Sequence, residues 1–541
     1  MAYMGINVTF VKKRTFTAFS LSIRYAWIVC ALYHDHAYAF DMKVTPSVST
    51  REIYSDNVNL AQPGYEKGAF VSEVSPGVSI IGRSARSTLN LNYRMQNLYN
   101  ASGNNGIKTS NQLQYNSHNT FIQNKLFLDS HSTLSQQNIS INQIANDNIS
   151  GSGNGTTVST FGMSPYWTPH FGDYANGTLR LNFDTITTNK GASSNSPGSS
   201  VNTISDTINV SEIIQLNSGT EFQRVNWHLS HNNTDNYRVN SSDVKFQNTD
   251  AIIRFYINNH FNILTRGGYS KNTFQSTTNT NENGFSYAVG GQWKPSQYFN
   301  IEVGGGNNSY VTVGISPMQR LNWNTTFRKN SIGLNSGKTW QTALNYRTRQ
   351  SNWALTHDND TTTTQEILQQ QQVFTIQDSS GNTVIDPVTS QAVQRAINLP
   401  TLTDEVIVRK KWNFSASFNT GKTTLGANAY NEDRTFQLTG TSQIVRGLGA
   451  TWNWQFASKT SAYVRPLWQQ TDKGMNAKDN RYDLLVGISR SINSHINCNL
   501  EFRHVDQSSD NSGNTNAFQP LGSNTNNYQE NRATASLFMR Y

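Results

Sequence analysis

The sequence predicts an all-β chain, a transmembrane antiparallel up-and-down β-barrel of about 22 strands within a range of 18–24. Three observations carry that expectation: period-two alternation along many segments, an asymmetry between short and long connections, and an amphipathic last strand ending on an aromatic residue. A composition of 35% hydrophobic and 14% charged residues fits it. So does a mean hydropathy of −0.58, too polar for a helical membrane protein. Only alternate residues of a barrel strand face lipid, so the apolar signal is diluted along the chain. Abundant Asn, Ser, Thr and Gly disfavour long helices and suit strands and turns.

Alternation is clearest where Leu89, Leu91, Tyr93 and Met95 share one parity against Asn90, Asn92, Arg94 and Gln96. It recurs at Leu179, Leu181 and Phe183, at Trp340, Leu344 and Tyr346, and at Trp412, Phe414, Ala416 and Phe418. Side chains on a strand alternate between faces, so each segment has one greasy and one watery side. A soluble sandwich would alternate too.

The connections discriminate better. Tight turns fall at 83–86, 217–220, 258–260, 294–297, 419–422, 456–459 and 491–494. Between them lie long polar stretches at 55–68, 138–155, 187–204, 358–404 and 508–527, so short and long connections alternate. Membrane barrels have tight turns on one rim and long loops on the other. About ten hairpins plus a strand at each end give the even count, with 309–336 either a further hairpin or a loop. At the chain end, Ala533, Ala535, Leu537, Met539 and Tyr541 share a parity, as expected of the strand that assembly machinery reads. Tyr99, Trp167, Tyr269, Trp293 and Trp468 fall near strand ends and suit aromatic girdles.

The first segment reads as an export signal. Lys12, Lys13, Arg14 and Arg24 precede a short apolar run from Tyr25 to Leu32, and Ala37-Tyr38-Ala39 supplies the small-x-small cleavage pattern. Residues 1–39 would be removed after Ala39, leaving 40–541 as one barrel domain. The run is too short to cross a bilayer as a helix, which takes about 20 apolar residues. Of the two cysteines, Cys30 lies in the signal and Cys498 remains, so no disulfide is expected in the mature chain.

A formal charge of +9 raises the question of nucleic acid, but the basic residues are scattered singly, and no nucleic-acid partner is expected. No catalytic constellation or cofactor motif stands out. The serines form no G-x-S-x-G elbow and the histidines lack metal-ligand spacing. The Asp/Asn-rich stretches 56–59 and 232–235 lack ordered calcium-loop spacing and read as solvated surface. The polar parity is more informative. Arg94, Arg180, Arg254, Arg266, Arg347, Arg349, Arg409, Lys411, Arg465, Arg503 and Arg540 fall on the face expected to line the lumen. Either they are neutralised by carboxylates such as Asp184, Glu302 and Glu501, the favoured reading, or they make the channel mildly cationic. Segment 358–404 reads as a mobile external loop, with a constriction folded into the lumen as the alternative.

Several motifs together resemble one family. They are Tyr54-Ser55-Asp56-Asn57-Val58-Asn59-Leu60 and Val74-Ser75-Pro76-Gly77-Val78-Ser79 within Pro46–Arg86, and Leu126-Phe127-Leu128-Asp129 followed by Ser135-Gln136-Gln137. Leu402-Thr403-Asp404-Glu405-Val406 and Asn531-Arg532-Ala533-Thr534-Ala535-Ser536-Leu537 complete the set. The chain resembles the PEP-CTERM system-associated outer-membrane protein family over nearly all of 40–541, with 309–336 as an addition to the usual pattern. The resemblance implies an outer-membrane barrel of a Gram-negative bacterium, tied to exopolysaccharide production and protein sorting. Its partners would be outer-membrane lipid, the barrel assembly machinery and exopolysaccharide export components. It assigns no catalytic or binding residue. A channel or scaffold for envelope export is therefore expected first, a general porin for small polar or anionic solutes second, and a barrel enzyme or surface adhesin third.

Overall fold

A computed structural model describes residues 40–101, 106–138, 149–150, 155–189, 204–239, 241–277, 282–370, 403–474, 477–511 and 527–541. The export signal, with Ala37 and Ala39, lies outside the described residues, as do 371–402 of the long connection. Every long element is a β-strand. In chain order they are β1 (Asp41–Ser55), β2 (Ala69–Arg83), β3 (Ser87–Asn100), β4 (Ile107–Ile122), β5 (Leu126–Asn138) and β6 (Gly155–Trp167). The two-residue β7 (His170–Phe171) precedes β8 (Ala175–Asn189), β9 (Thr207–Ser218), β10 (Val225–Arg238), β11 (Val244–Tyr256) and β12 (Phe261–Thr273). Next come β13 (Gly284–Ser296), β14 (Phe299–Gly306), β15 (Asn308–Met318), β16 (Leu321–Asn330), β17 (Gly337–Arg347) and β18 (Ser351–Thr363). After a short helix, α1 (Thr364–Gln370), the set ends with β19 (Val406–Asn419), β20 (Thr423–Phe436), β21 (Ser442–Ala457), β22 (Thr460–Asp472), β23 (Ala477–Ser491), β24 (Ile496–Asn511) and β25 (Tyr528–Arg540).

Each long strand pairs antiparallel with its neighbours in sequence, and β1 pairs with β25, Ser47 opposite Arg540 through Ser55 opposite Arg532. The result is a closed barrel of 24 strands, with β7 an added ribbon against the start of β8. Closure removes the unpaired strand edge that would otherwise need water or another chain. The count exceeds the expected 22 because residues 309–336 hold the hairpin β15–β16, which the sequence left open. Among the described residues no helix is long and apolar enough to cross a membrane.

The two faces are chemically opposite. On β23, Tyr482, Leu484, Val486 and Ile488 are exposed, while Arg481, Asp483 and Ser489 are buried. In a closed ring the exposed apolar row points outward and the alternate row points into the lumen. Outward aromatics cluster across strands: Phe327 stacks on Trp340, and Trp340 meets His357 and Trp412.

Both chain ends of the barrel lie on the rim that carries the tight turns, where the Tyr541 amide donates to the Pro46 carbonyl (3.0 Å). The strand ends that flank the long connections lie on the other, the loop rim. The expected alternation of short and long connections, almost without exception, needs correction. The loop rim also holds short links, 239–243, 437–441 and the single residue Asn307 between β14 and β15. The long connection is also shorter than 358–404. Residues 358–363 continue β18, because Asp358, Asp360 and Thr362 sit in register with Lys411, Arg409 and Ile407. Likewise 232–235 is not a loop but part of β10.

Candidate functional site

The inward rows build a lumen of hydroxyls, amides and paired charges. Strand register decides which residues meet. Arg180 lies directly opposite Tyr166, sits 4.2 Å from its ring centroid and donates to Asp129 at 2.9 Å. Arg254 reaches across β12 and β13 to Glu302 at 2.7 Å. Arg266 donates to Asp250 (3.3 Å), and Arg409 donates from Nε to Asp360 (3.0 Å). Lys411 and Arg434 converge on Glu432, at 3.9 and 2.9 Å. Arg503 grips Asp483 with two parallel bonds of 2.9 and 2.6 Å, the forked geometry that guanidinium and carboxylate favour. Arg465 stacks its guanidinium 4.7 Å from the Tyr463 ring. Arg94 lines a cavity near the turn rim. Arg347 stands exposed at the end of β17, on the turn rim, and Arg349 lies in the turn that follows. The named carboxylates divide: Glu302 takes Arg254, whereas Asp184 meets His131 (3.2 Å) and Glu501 accepts from the Tyr463 hydroxyl.

Sequence reasoning missed Arg51, Glu73, Arg328, Glu432, Arg434, Arg481 and Asp483, all inward. Parity could have found them, since each alternates with an outward residue; the pairing across strands could not be read. It also missed three matched pairs. Tyr310, Tyr430 and Tyr463 each sit directly opposite a glycine, respectively Gly304, Gly447 and Gly487. The rings lie over the missing side chains, and the hydroxyls reach on to Glu302 (2.8 Å), Gln469 (3.2 Å) and Asn499 (2.9 Å).

At the loop rim, walls distant in the ring order are tied together. α1 follows β18 directly, yet Leu368 packs with Val158 of β6, Ile186 of β8 and Ile204. The Asp404 carboxylate accepts from the Ser205 amide (2.9 Å) and from Gln365 Nε2 (2.8 Å), while Arg238 of β10 donates to the Asp404 carbonyl. Glu366 accepts from the Thr362 hydroxyl (2.8 Å) and the Thr363 amide (3.1 Å). Further round, the Thr277 amide donates to the Gln437 carbonyl (2.8 Å), and the Gly333 amide to Glu282 (2.7 Å). Ser150 and Ser55 both donate to Glu530. Residues at an open pore mouth would be wetted; instead Thr363, Thr364 and Gln437 are 0% exposed. The described start of the long connection, α1, thus packs against the wall formed by β6 and β8; the rest of it, 371–402, lies outside the described residues.

Three of the motifs singled out in the sequence, at 54–60, 402–406 and 531–537, contribute knots to this rim. Asn57, buried, bonds Ala61 twice at 2.8 Å and the Gln529 carbonyl at 2.9 Å. Asp56 accepts from the Asn531 amide (2.7 Å) and side chain (2.8 Å), tying the end of β1 to β25. Within 56–59, Asp56, Asn57 and Val58 therefore form a structural clasp, while Asn59 is exposed. Glu405 accepts from the Leu438 and Thr439 amides (3.1 and 2.9 Å). Among the described residues no group of three His, Cys, Asp or Glu side chains comes together that could hold a metal ion.

A closed antiparallel ring, apolar outside and polar within, defines a membrane β-barrel of the outer-membrane type. No protein-family profile matches the sequence, and no curated protein matches it. Solved barrels resemble the fold. A mutant of the ferric enterobactin receptor PfeA from Pseudomonas aeruginosa matches 92% of this chain and 80% of its own, at 8% identity and a TM-score of 0.43. The siderophore receptor PirA from Acinetobacter baumannii gives 9% identity and 0.44 over the same shares. OmpT, an outer membrane protein of Vibrio cholerae, in a loop-deletion form, covers 93% of this chain and all of its own at 8% and 0.29. Values this low transfer no cargo from those proteins to this chain.

Proposed function

We propose that this protein is an outer-membrane channel or scaffold for envelope export, closed at rest on its loop rim, of the kind linked to exopolysaccharide and PEP-CTERM sorting. The tied rim supports the reading best. A general porin works with a standing aqueous path, whereas here Asp404, Arg238, Glu366 and Gln437 join opposite walls. A channel that opens only with its export partners needs such a closure. The general porin remains the second reading, favoured by the hydroxyl- and amide-rich lumen.

Planar-bilayer recording separates the two. Purified wild-type protein should conduct rarely and weakly, and the double variant Asp404→Asn/Arg238→Gln should conduct several-fold more. A steady porin-sized conductance in the wild type, unchanged by the double variant, would defeat the closure. In cells, a deletion strain should lose secreted polysaccharide while small-solute uptake is unchanged; normal secretion would defeat the export role.

A further inference from the structure

On the outward side near the loop rim, three lysines stand in line with three rings. Lys329 follows Phe327 by two residues on β16, Lys338 precedes Trp340 by two on β17, and Lys410 precedes Trp412 by two on β19. Residues two apart share a strand face, about 6.5 Å from each other. β16 runs towards the loop rim and β17 and β19 run from it, so the lysine is the rimward member of each column. The other parity points inward, with Arg328 near the Tyr310 ring and Arg409 on Asp360. The rings beneath form a fixed shelf. Phe327 stacks on Trp340 at 5.4 Å, Trp340 meets Trp412 edge-on at 5.0 Å, and buried His357 stacks on Trp412 at 4.4 Å. Trp340 Nε1 donates to the Thr325 hydroxyl (2.8 Å), which holds the indole against the sheet. Such rings mark the depth where hydrocarbon gives way to headgroups, so the lysines stand at headgroup level.

The protein does not neutralise these lysines. Lys329 and Lys338 lie directly opposite each other in register, and like charges so placed repel. Other outward lysines have carboxylates: Lys245 pairs with Asp235 (3.2 Å) and Lys478 with Asp472 (3.8 Å). Lys329, Lys338 and Lys410 are exposed, and among the described residues none of them forms an ion pair. Asp433, opposite Lys410 in register, is the one acid on the described outward strand positions from β15 to β20. Three positive charges therefore stand against one negative. Repelling cations set over a wall of rings suit a ligand with two chemistries. Phosphates would take the ammonium groups, which bind them as point charges, and hydrocarbon chains would lie along the shelf.

We infer that this face binds a lipid with a phosphorylated headgroup from the leaflet on the loop side. Its phosphates sit at Lys329, Lys338 and Lys410, and its acyl chains lie on Phe327, Trp340 and Trp412. The inference goes beyond the export reading and needs only the membrane barrel. Native mass spectrometry of the full barrel in detergent micelles tests it, with diphosphoryl lipid A as the titrant. A basic residue near a charged membrane surface is worth about fivefold in attraction, so Lys329→Gln/Lys338→Gln/Lys410→Gln should weaken binding at least about tenfold. Lys245→Gln/Lys478→Gln removes lysines already paired with carboxylates and should leave binding within about twofold. Lipid A stripped of both phosphates should bind the wild type no better than the intact lipid binds the triple variant. Undiminished affinity in the triple variant, still resistant to unfolding in sodium dodecyl sulfate, would overturn the site. So would an equal loss in the paired-lysine variant, or equal binding of the stripped lipid. Displacement of the lipid by equimolar inorganic phosphate would overturn the lipid as occupant. Should the triple variant fail to fold, Lys338→Gln alone decides: it should weaken binding several-fold, and unchanged affinity overturns the site. Failure here leaves the conductance and secretion tests of the export reading untouched, and their failure leaves this binding measurement intact.

Discussion

Tyr463 shows how single residues shape the lumen. Its ring occupies the space opposite Gly487, where a β-carbon would come within 2.3 Å of the ring. Gly487→Ala must therefore push the ring away from Asn499 and Glu501, and overpacking of this kind costs about 1–3 kcal/mol. Urea unfolding in micelles should show that loss, while Gly426→Ala, where the nearest neighbour is Thr451 at 3.9 Å, should cost much less. Glu366 offers a second residue-scale test. Burial pushes its carboxyl above the usual range, although Thr362, Thr363, Asn236 and Arg238 all favour the ionised form. A raised carboxyl makes the closed rim most stable while Glu366 is protonated. That stability is lost as pH rises through the raised value. Bilayer conductance should thus increase with pH above the ordinary carboxylate range, and Glu366→Gln, permanently neutral, should flatten the increase. An unchanged profile in that variant would show that the carboxyl does not govern the rim.

Among the elements, the connections set the topology, and they can be labelled. With Cys498 replaced by Ser, Thr441→Cys in the link 437–441 should react with a membrane-impermeant maleimide on intact cells. Ser458→Cys in the turn between β21 and β22 should react only after the outer membrane is opened. The opposite pattern would invert the barrel. Strand existence was legible because alternation at Leu89–Met95 or Trp412–Phe418 is a local property of the chain. The turns at 319–320 and 348–350 were harder to see, because they contain no Gly, Pro, Asn, Asp or Ser; 123–125 offers only Asn124, which adopts the left-handed conformation (φ 57°). The extension of β18 through Thr363 was hidden for another reason. A Thr-rich run is compatible with strand or loop, and only pairing with β19 decides. Parity is local and groups residues by strand face, but the partner of Arg254 lies three strands away on β14, and the rim knots join residues as distant as Ser55 and Glu530. No local pattern encodes such contacts.

At the scale of the whole molecule, everything depends on the seam where the first strand meets the last. Nine register pairs join β1 to β25, from Ser47–Arg540 to Ser55–Arg532, and Asp56 and Tyr541 extend the contact at either end. Without that seam the chain would present two unsatisfied edges to lipid, each unpaired backbone group costing several kcal/mol there. The seam also carries the apolar outward row Ala533, Ala535, Leu537 and Met539. Thr50 and Leu537 lie directly opposite each other on the outward side. Cα atoms so placed are about 4.5–5.5 Å apart, within reach of a disulfide. In a Cys498→Ser background, Thr50→Cys/Leu537→Cys should oxidise to an intramolecular cross-link once the barrel is folded. The boiled, unreduced protein would then migrate as a closed loop on a denaturing gel, and reductant would restore the linear mobility. Single-cysteine variants should show no shift. If the folded double variant kept two free thiols under oxidising conditions, the ring would be open between its ends, and the enclosed lumen would lose its foundation.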